Sequence, residues 1–250
     1  MEQEKLLFGL IGFPLGHSWS AGYFNEKFRS TGEAGKEYRL FPLESLNEFQ
    51  GLLAKFPALA GLNVTIPYKE KIIPYLDELD DTARSIGAVN TIRIIRKNGM
   101  ILTKGFNTDA PGFLQTLSVK IPQGPALILG TGGGAKAVAH ALNGKNITYT
   151  FVSRKNTGPG IVTYHDLSPD LIREHLLIIN TTPLGMFPDT GKFPPIPYLH
   201  LTEAHFLYDL IYNPEETEFI RRGKAMKSQT MNGSQMLQNQ ADLSYRIFSI

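Results

Sequence analysis

The chain has no cysteine, and that absence removes disulfide staples, thiolate nucleophiles and thiolate metal ligands together. No apolar run is long enough to span a bilayer; the stretch Leu6 to Ile11, behind the polar Met1 to Lys5, is only strand length. Blocks of like charge are also missing. The net charge is +2 and the basic residues are scattered, so no stripe exists to track a phosphate backbone. These absences predict a cytoplasmic protein with neither membrane nor nucleic acid as partner and with no metal. What is present suits a globular fold: 250 residues, 42% hydrophobic and 19% charged, enough for one large domain or two ordinary ones, with two lobes expected.

Another absence is local. Ala126 to Leu129 reads as a strand, Gly130-Thr131-Gly132-Gly133-Gly134-Ala135 as a glycine turn, and the run to Leu142 as a helix. Gly130, Gly132 and Ala135 fill the pattern G-x-G-x-x-G/A, which brings backbone against a pyrophosphate at a helix N-terminus. Such folds place an acid about 20 residues on, to hold the ribose 2′-hydroxyl of NAD. No Asp or Glu lies between Gly130 and Asp166 here, and the strand Thr148 to Val152 ends in Ser153-Arg154-Lys155. A guanidinium there suits a 2′-phosphate, so NADP is the expected cofactor, unless Arg154 is an ordinary surface charge.

Upstream the pattern alternates. Strand Leu6 to Ile11 precedes His17-Ser18-Trp19-Ser20 and a helix with Trp19, Tyr23 and Phe28 as its buried stripe; Ser18 or Ser20 would serve as its N-cap. Tyr38 to Phe41 is the next strand, Ser45 to Glu48 a capping box before a helix to Phe56, and Leu59 to Val64 the third strand. Asn63 and Thr65 give that strand a polar end, and Lys69 follows, each a candidate site residue because ligands collect at the carboxyl ends of parallel strands. Lys69 could equally be a solvated lysine. Asn90 follows a short helix and precedes a hairpin turning at Arg96-Lys97-Asn98-Gly99; it either binds a ligand or bonds a turn. Asp109, two residues before Pro111, is placed to cap a helix.

Downstream the strands Leu176 to Asn180 and Phe206 to Leu210 flank a proline-rich connection read as a loop over the cofactor cleft. A helix around Glu215 to Arg222, a strand near Ser228 to Met231 and a last helix from Ser234 to Phe248 complete the chain. Gln240 falls on the mainly apolar side of that last helix, where a glutamine needs a partner.

Eight stretches in register resemble the shikimate dehydrogenase family: His17 to Ser20, Asn63 to Glu70, Gly87 to Thr91, Gly105 to Phe113, Gly130 to Ala135, Asn180 to Met186, Tyr208 to Pro214 and Asn232 to Gln240. The resemblance implies an α/β protein of two lobes. Residues 1–108 plus 233–250 would form an N-terminal βαβ-type substrate-binding domain, with the C-terminal helix returning to it, and 109–232 a Rossmann-like NADP-binding domain. It further implies that Ser18, Ser20, Asn63, Thr65, Lys69, Asn90, Asp109, Tyr212 and Gln240 bind shikimate or 3-dehydroshikimate, with Lys69 and Asp109 catalytic. The cofactor would meet Asp81, Gly130 to Ala135 (including Thr131, Gly132, Gly133 and Gly134), Ser153, Arg154, Lys155, Leu210, Gly233 and Met236. The chain departs from the family at Ala21, commonly proline, at Thr131, often alanine, and at Ser153-Arg154-Lys155, usually Asn-Arg-Thr.

Oxidising a secondary alcohol needs a hydride acceptor and a base within hydrogen-bond reach of the hydroxyl. Lysine and aspartate suit that role, and two serine hydroxyls with backbone donors can bind a carboxylate without arginine. Two rival readings are a quinate or quinate/shikimate dehydrogenase with broader substrate or NAD use, and a catalytically silent NADP-binding homologue. A monomer and a homodimer are equally compatible with the sequence.

Overall fold

The computed structural model describes residues 5–16, 18–117, 121–155 and 158–249. They divide into two compact units, Met1–Thr108 with Ala241–Ile250, and Asp109–Gln240. The second crossing falls inside the last helix, Ser234–Phe248, where the sequence reading set it at residue 233. Packing accounts for that place. Phe248 lies 4.9 Å from the Phe8 ring and Asp242 bonds Tyr23 and Lys27, all within the first unit, whereas Met236 joins the core of the second.

The first unit runs β1 (Leu6–Gly12), α1 (Ser20–Ser30), β2 (Lys36–Pro42), α2 (Phe49–Lys55), β3 (Leu59–Val64), β4 (Glu78–Leu79), α3 (Asp81–Ile86), β5 (Thr91–Lys97) and β6 (Met100–Phe106). Its sheet has the order β2-β1-β3-β5-β6-β4. β1 is parallel to β2 and β3, whereas β5 is antiparallel to β3 and β6. β5 and β6 form the expected hairpin, whose Asn98 and Gly99 take φ of 52° and 77°, as a tight two-residue turn requires. Before α2, Ser45 donates its N–H to Glu48 Oε1 at 2.9 Å while its hydroxyl accepts from Asn47 N at 3.2 Å. That start is a 3₁₀ turn rather than the α-helix expected there.

The stripe expected on α1 is corrected. Phe24 and Phe28, four residues apart, face the core; Trp19 precedes the helix and stacks on Tyr23 at 4.3 Å, both only half buried. Neither serine is the helix N-cap. Trp19 occupies that position, and the Ser18 hydroxyl accepts from Ser20 N at 3.3 Å.

The second unit runs α4 (Asp109–Thr116), β7 (Ala126–Leu129), α5 (Gly133–Asn143), β8 (Tyr149–Ser153), β9 (Ile161–Thr163), α6 (Pro169–Glu174), β10 (Leu177–Asn180), β11 (Phe206–Asp209), α7 (Glu218–Ala225), β12 (Gln229–Met231) and α8 (Ser234–Phe248). Asp109 opens α4 as a helical residue, not as its cap. All neighbouring strands are parallel, in the order β12-β11-β10-β7-β8-β9. Strand order reverses between β7 and β10, the doubly wound arrangement in which a crevice opens beyond the carboxyl ends. β7, β10 and β11 are buried along their full length, which explains their nearly unbroken apolar sequences. Ala126, Ile128, Leu177 and Ile179 pack on one face; Leu127, Leu129, Ile178 and Leu207 pack on the other.

β9 and α6 were not anticipated, being three and six residues long and too short for periodicity to register. α7 begins later than expected because Thr217 caps it, accepting from Ile220 N at 3.3 Å. Part of the proline-rich connection is wall rather than loose loop. Ile196 and Tyr198 enter the core, and the Arg222 guanidinium lies 3.9 Å from the Phe193 ring centroid. Among the described residues no helix is long and apolar enough to cross a membrane.

Candidate active site

In the second unit, Gly130 follows β7 and donates its N–H to Val152 O at 2.8 Å. Gly130 has φ of 112°, and a Cβ there would meet Thr181 Oγ1 at 2.7 Å, so the turn at the switch between β7 and β10 requires glycine twice over. Thr131 and Gly132 are exposed, and α5 starts at Gly133 with no side chain capping its N-terminus. A Cβ on Gly132 would meet nothing within 4 Å, so a phosphate has room against those N–H groups. Buried Ala135 then packs the helix on the sheet.

β8 lies beside β7, so Ser153 and the exposed Arg154 and Lys155 follow the neighbouring strand end. Arg154 lies near enough to Tyr164 to oppose the rise in that phenol's pKa, to about 12, which burial causes. An uncapped helix N-terminus beside a guanidinium, with no acid between, fits a dinucleotide bearing a 2′-phosphate. Leu210 approaches the turn from β11, its Cδ1 3.8 Å from where a Gly134 Cβ would stand. At Gly233 a Cβ would lie 2.0 Å from Leu210 O, so only glycine lets these segments meet. Met236 is buried in the core beside Ala135 and Tyr208 and stands behind this surface, a more interior place than the cofactor-lining one expected.

The centre that sequence reasoning missed here is Asp209. Its carboxylate accepts from Asn180 Nδ2 at 3.0 Å, Ile211 N at 3.0 Å and Thr217 Oγ1 at 2.6 Å. Asn180 Oδ1 in turn accepts from Thr182 N and Oγ1 at 3.0 and 2.7 Å. Burial pushes Asp209 up to about 6, against the pull of these bonds. The cluster fixes the two loops that carry Thr181 and Leu210. An acid closing the apolar run Phe206-Leu207-Tyr208 was the available signal.

In the first unit Asn63, at the end of β3, is the centre. Its Oδ1 accepts from Tyr38 Oη at 2.8 Å, and its Nδ2 lies 3.2 Å from Asn90 O, 3.1 Å from Thr91 Oγ1 and 2.9 Å from Ser244 Oγ. Asn90 closes the other side: Nδ2 donates to Thr108 Oγ1 at 2.8 Å, and Oδ1 accepts from Thr108 N at 2.7 Å. Ser20 stands near enough to the Tyr38 phenol to oppose the rise in its pKa that burial causes. Ser20, Asn63 and Asn90 are thus brought together, through Tyr38, Thr91, Thr108 and Ser244, none of which the sequence singled out. Polar residues at the ends of strands were the only hint.

Other candidates of the first unit sit on adjoining loops. Half-buried Thr65 follows β3 and donates its N–H to Ile11 O at 2.9 Å; Lys69 O accepts from Val89 N at 2.7 Å, pinning the lysine's backbone. Ser18 supports the start of α1 as described. Asp81 is exposed in the first turn of α3. In the second unit, Asp109 is buried at the head of α4, Tyr212 is half buried after β11, and Gln240 Nε2 donates to Leu237 O at 2.9 Å.

The sequence profile of the shikimate dehydrogenase substrate binding domain matches residues 10–92. A protein of Desulforamulus reducens named shikimate dehydrogenase (NADP(+)) is 36% identical over 263 residues, covering 96% of this chain and 89% of its own. The Thermus thermophilus shikimate 5-dehydrogenase in complex with NADP(H) and shikimate superposes with a TM-score of 0.83 at 33% identity, covering 98% and 93% of the two chains. The quinate dehydrogenase of Corynebacterium glutamicum in complex with NAD superposes with 0.84 at 27% identity, covering 98% and 94%. With its doubly wound unit, glycine turn and amide-centred strand ends in place, the chain belongs to the shikimate dehydrogenase family.

Proposed function

We propose that this protein is an NADP-dependent shikimate dehydrogenase that interconverts shikimate and 3-dehydroshikimate on the route to chorismate and the aromatic amino acids. One observation carries the reading: the similarity to relatives bearing that name covers 96% of the chain, and so includes both the polar strand ends and the glycine turn. NADP, when bound, supplies the hydride acceptor. Gly130 to Ala135 would hold its pyrophosphate and Ser153 to Lys155 its 2′-phosphate, with Leu210 and Gly233 beside them, Met236 supporting from the core, and Asp81 retained on resemblance alone.

The chain's own groups bind the polyol acid and move its proton. Ser18 and Ser20 offer hydroxyls to the carboxylate, while Asn63, Thr65, Asn90, Tyr212 and Gln240 supply amides and hydroxyls for the ring hydroxyls. Neutral Lys69 takes the hydroxyl proton on oxidation, and its ammonium returns it on reduction. Asp109 orients the same hydroxyl. The protein acts in the cytoplasm on this small molecule, without nucleic acid or membrane. Rates with shikimate or quinate, each with NADP or NAD, test the reading: shikimate with NADP should be fastest, equal or better quinate turnover would favour the quinate enzyme, and no turnover would favour a silent binding protein.

A further inference from the structure

The amide of Asn63 can face only one way. Its nitrogen lies 3.2 Å from the Asn90 carbonyl oxygen, which accepts and never donates, so a flipped amide would set oxygen against oxygen. Both amide hydrogens therefore point into the protein, where Asn90 O, Thr91 Oγ1 and Ser244 Oγ accept them. Oδ1 faces the other way and takes the Tyr38 hydroxyl at 2.8 Å. One lone pair of that oxygen is left for a ligand.

Tyr38 is itself fixed on every side. Its ring stacks on Phe24 at 4.5 Å and 2°. Its backbone is bracketed by Asn25, whose Oδ1 accepts from Tyr38 N at 2.8 Å and whose Nδ2 donates to Tyr38 O at 2.9 Å. Phe24 and Asn25 belong to α1, the helix that begins at Ser20, so the Tyr38 contacts fix the helix that carries that serine. Burial raises the phenol well above its ordinary 10, so it stays a donor.

We propose that Tyr38 is a positioning residue that locks Ser20 and Asn63 in mutual register, so that Asn63 meets a substrate hydroxyl as an acceptor. This deepens, and rests on, the shikimate reading above. A single phenol would then couple the carboxylate-binding end of the ligand site to its hydroxyl-binding end, and the site would favour a ligand that donates at Asn63 over one that presents an ether or carbonyl there.

The test is calorimetric titration of the full chain with shikimate and, separately, NADP. Tyr38→Phe should raise the shikimate Kd about 5- to 30-fold, the worth of a buried hydrogen bond whose acceptor is stranded, with the NADP Kd unchanged. Placed in a Ser20→Ala/Asn63→Ala background, the same change should cost less than about twofold, because the residues it acts through are gone. An equal cost in both backgrounds, or a lower melting temperature with an unchanged shikimate Kd, would overturn the proposal by marking a purely structural tyrosine. Should Tyr38→Phe fail to fold, Ser244→Ala carries the same cycle against Asn63→Ala: a shikimate Kd cost that vanishes in that background supports a locked Asn63, and an additive one overturns it. A wild-type protein that binds no shikimate removes the functional reading itself, whereas one that binds shikimate with an additive cycle removes only the role of Tyr38.

Discussion

The two units organise their buried polar groups by opposite means. In the first, the groups around Asn63 are amides and hydroxyls, and direction is set by which atoms can only accept, such as the Asn90 carbonyl. In the second, one buried carboxylate, Asp209, gathers three donors. A neutral network costs less to bury and holds its pattern across pH, which suits recognition of an uncharged polyol ring. A buried carboxylate must be stripped of water, and at Asp209 the three donors that offset this cost tie two loops down.

The contrast can be broken at its chemistry first. Lys69→Ala should lower kcat by about 10²–10⁴, the usual worth of a positioned proton-transfer group, and leave the NADP Kd unchanged because the glycine turn lies in the other unit. Near-full kcat with only a raised shikimate KM would make the lysine a binding residue. Arg154→Asp should then reduce the NADP over NAD ratio of kcat/KM by about ten- to hundred-fold through the loss of a charge-assisted contact; an unchanged ratio would leave the preference without Arg154. A stability measurement sharpens the contrast itself. Because Asp209 is raised from 3.8 to about 6 in the fold, the stability due to its protonated form is present below 3.8 and lost as pH rises through about 6. The unfolding free energy of wild type minus that of Asp209→Asn should therefore fall by up to about 3 kcal/mol from low pH to neutrality and flatten above it. A difference independent of pH would show that Asp209 does not titrate there.

Legibility followed the same division. In the second unit β7, β10 and β11 were readable almost to the residue because burial on both faces makes them apolar runs. β9 and α6 escaped because neither is long enough to show a period. In the first unit the candidates Ser20, Asn63 and Asn90 stood out through motif context, yet their partners did not. Tyr38 looks like one aromatic in a strand and Ser244 like one polar residue in a helix; only their convergence, 25 and 181 residues from Asn63, gives them a role. The error on α1 had a simpler cause: Trp19 was counted into a helix that begins one residue later and whose buried stripe is Phe24 and Phe28.

The stacking of Trp19 on Tyr23 has a practical side. The chain contains one tryptophan, and it stands between Ser18 and Ser20, half buried, on the edge of α1. Indole emission therefore arises from a single place in the molecule, beside the serines assigned to the carboxylate. The protein carries its own optical probe of the first unit, readable without label, coupling enzyme or engineered chromophore.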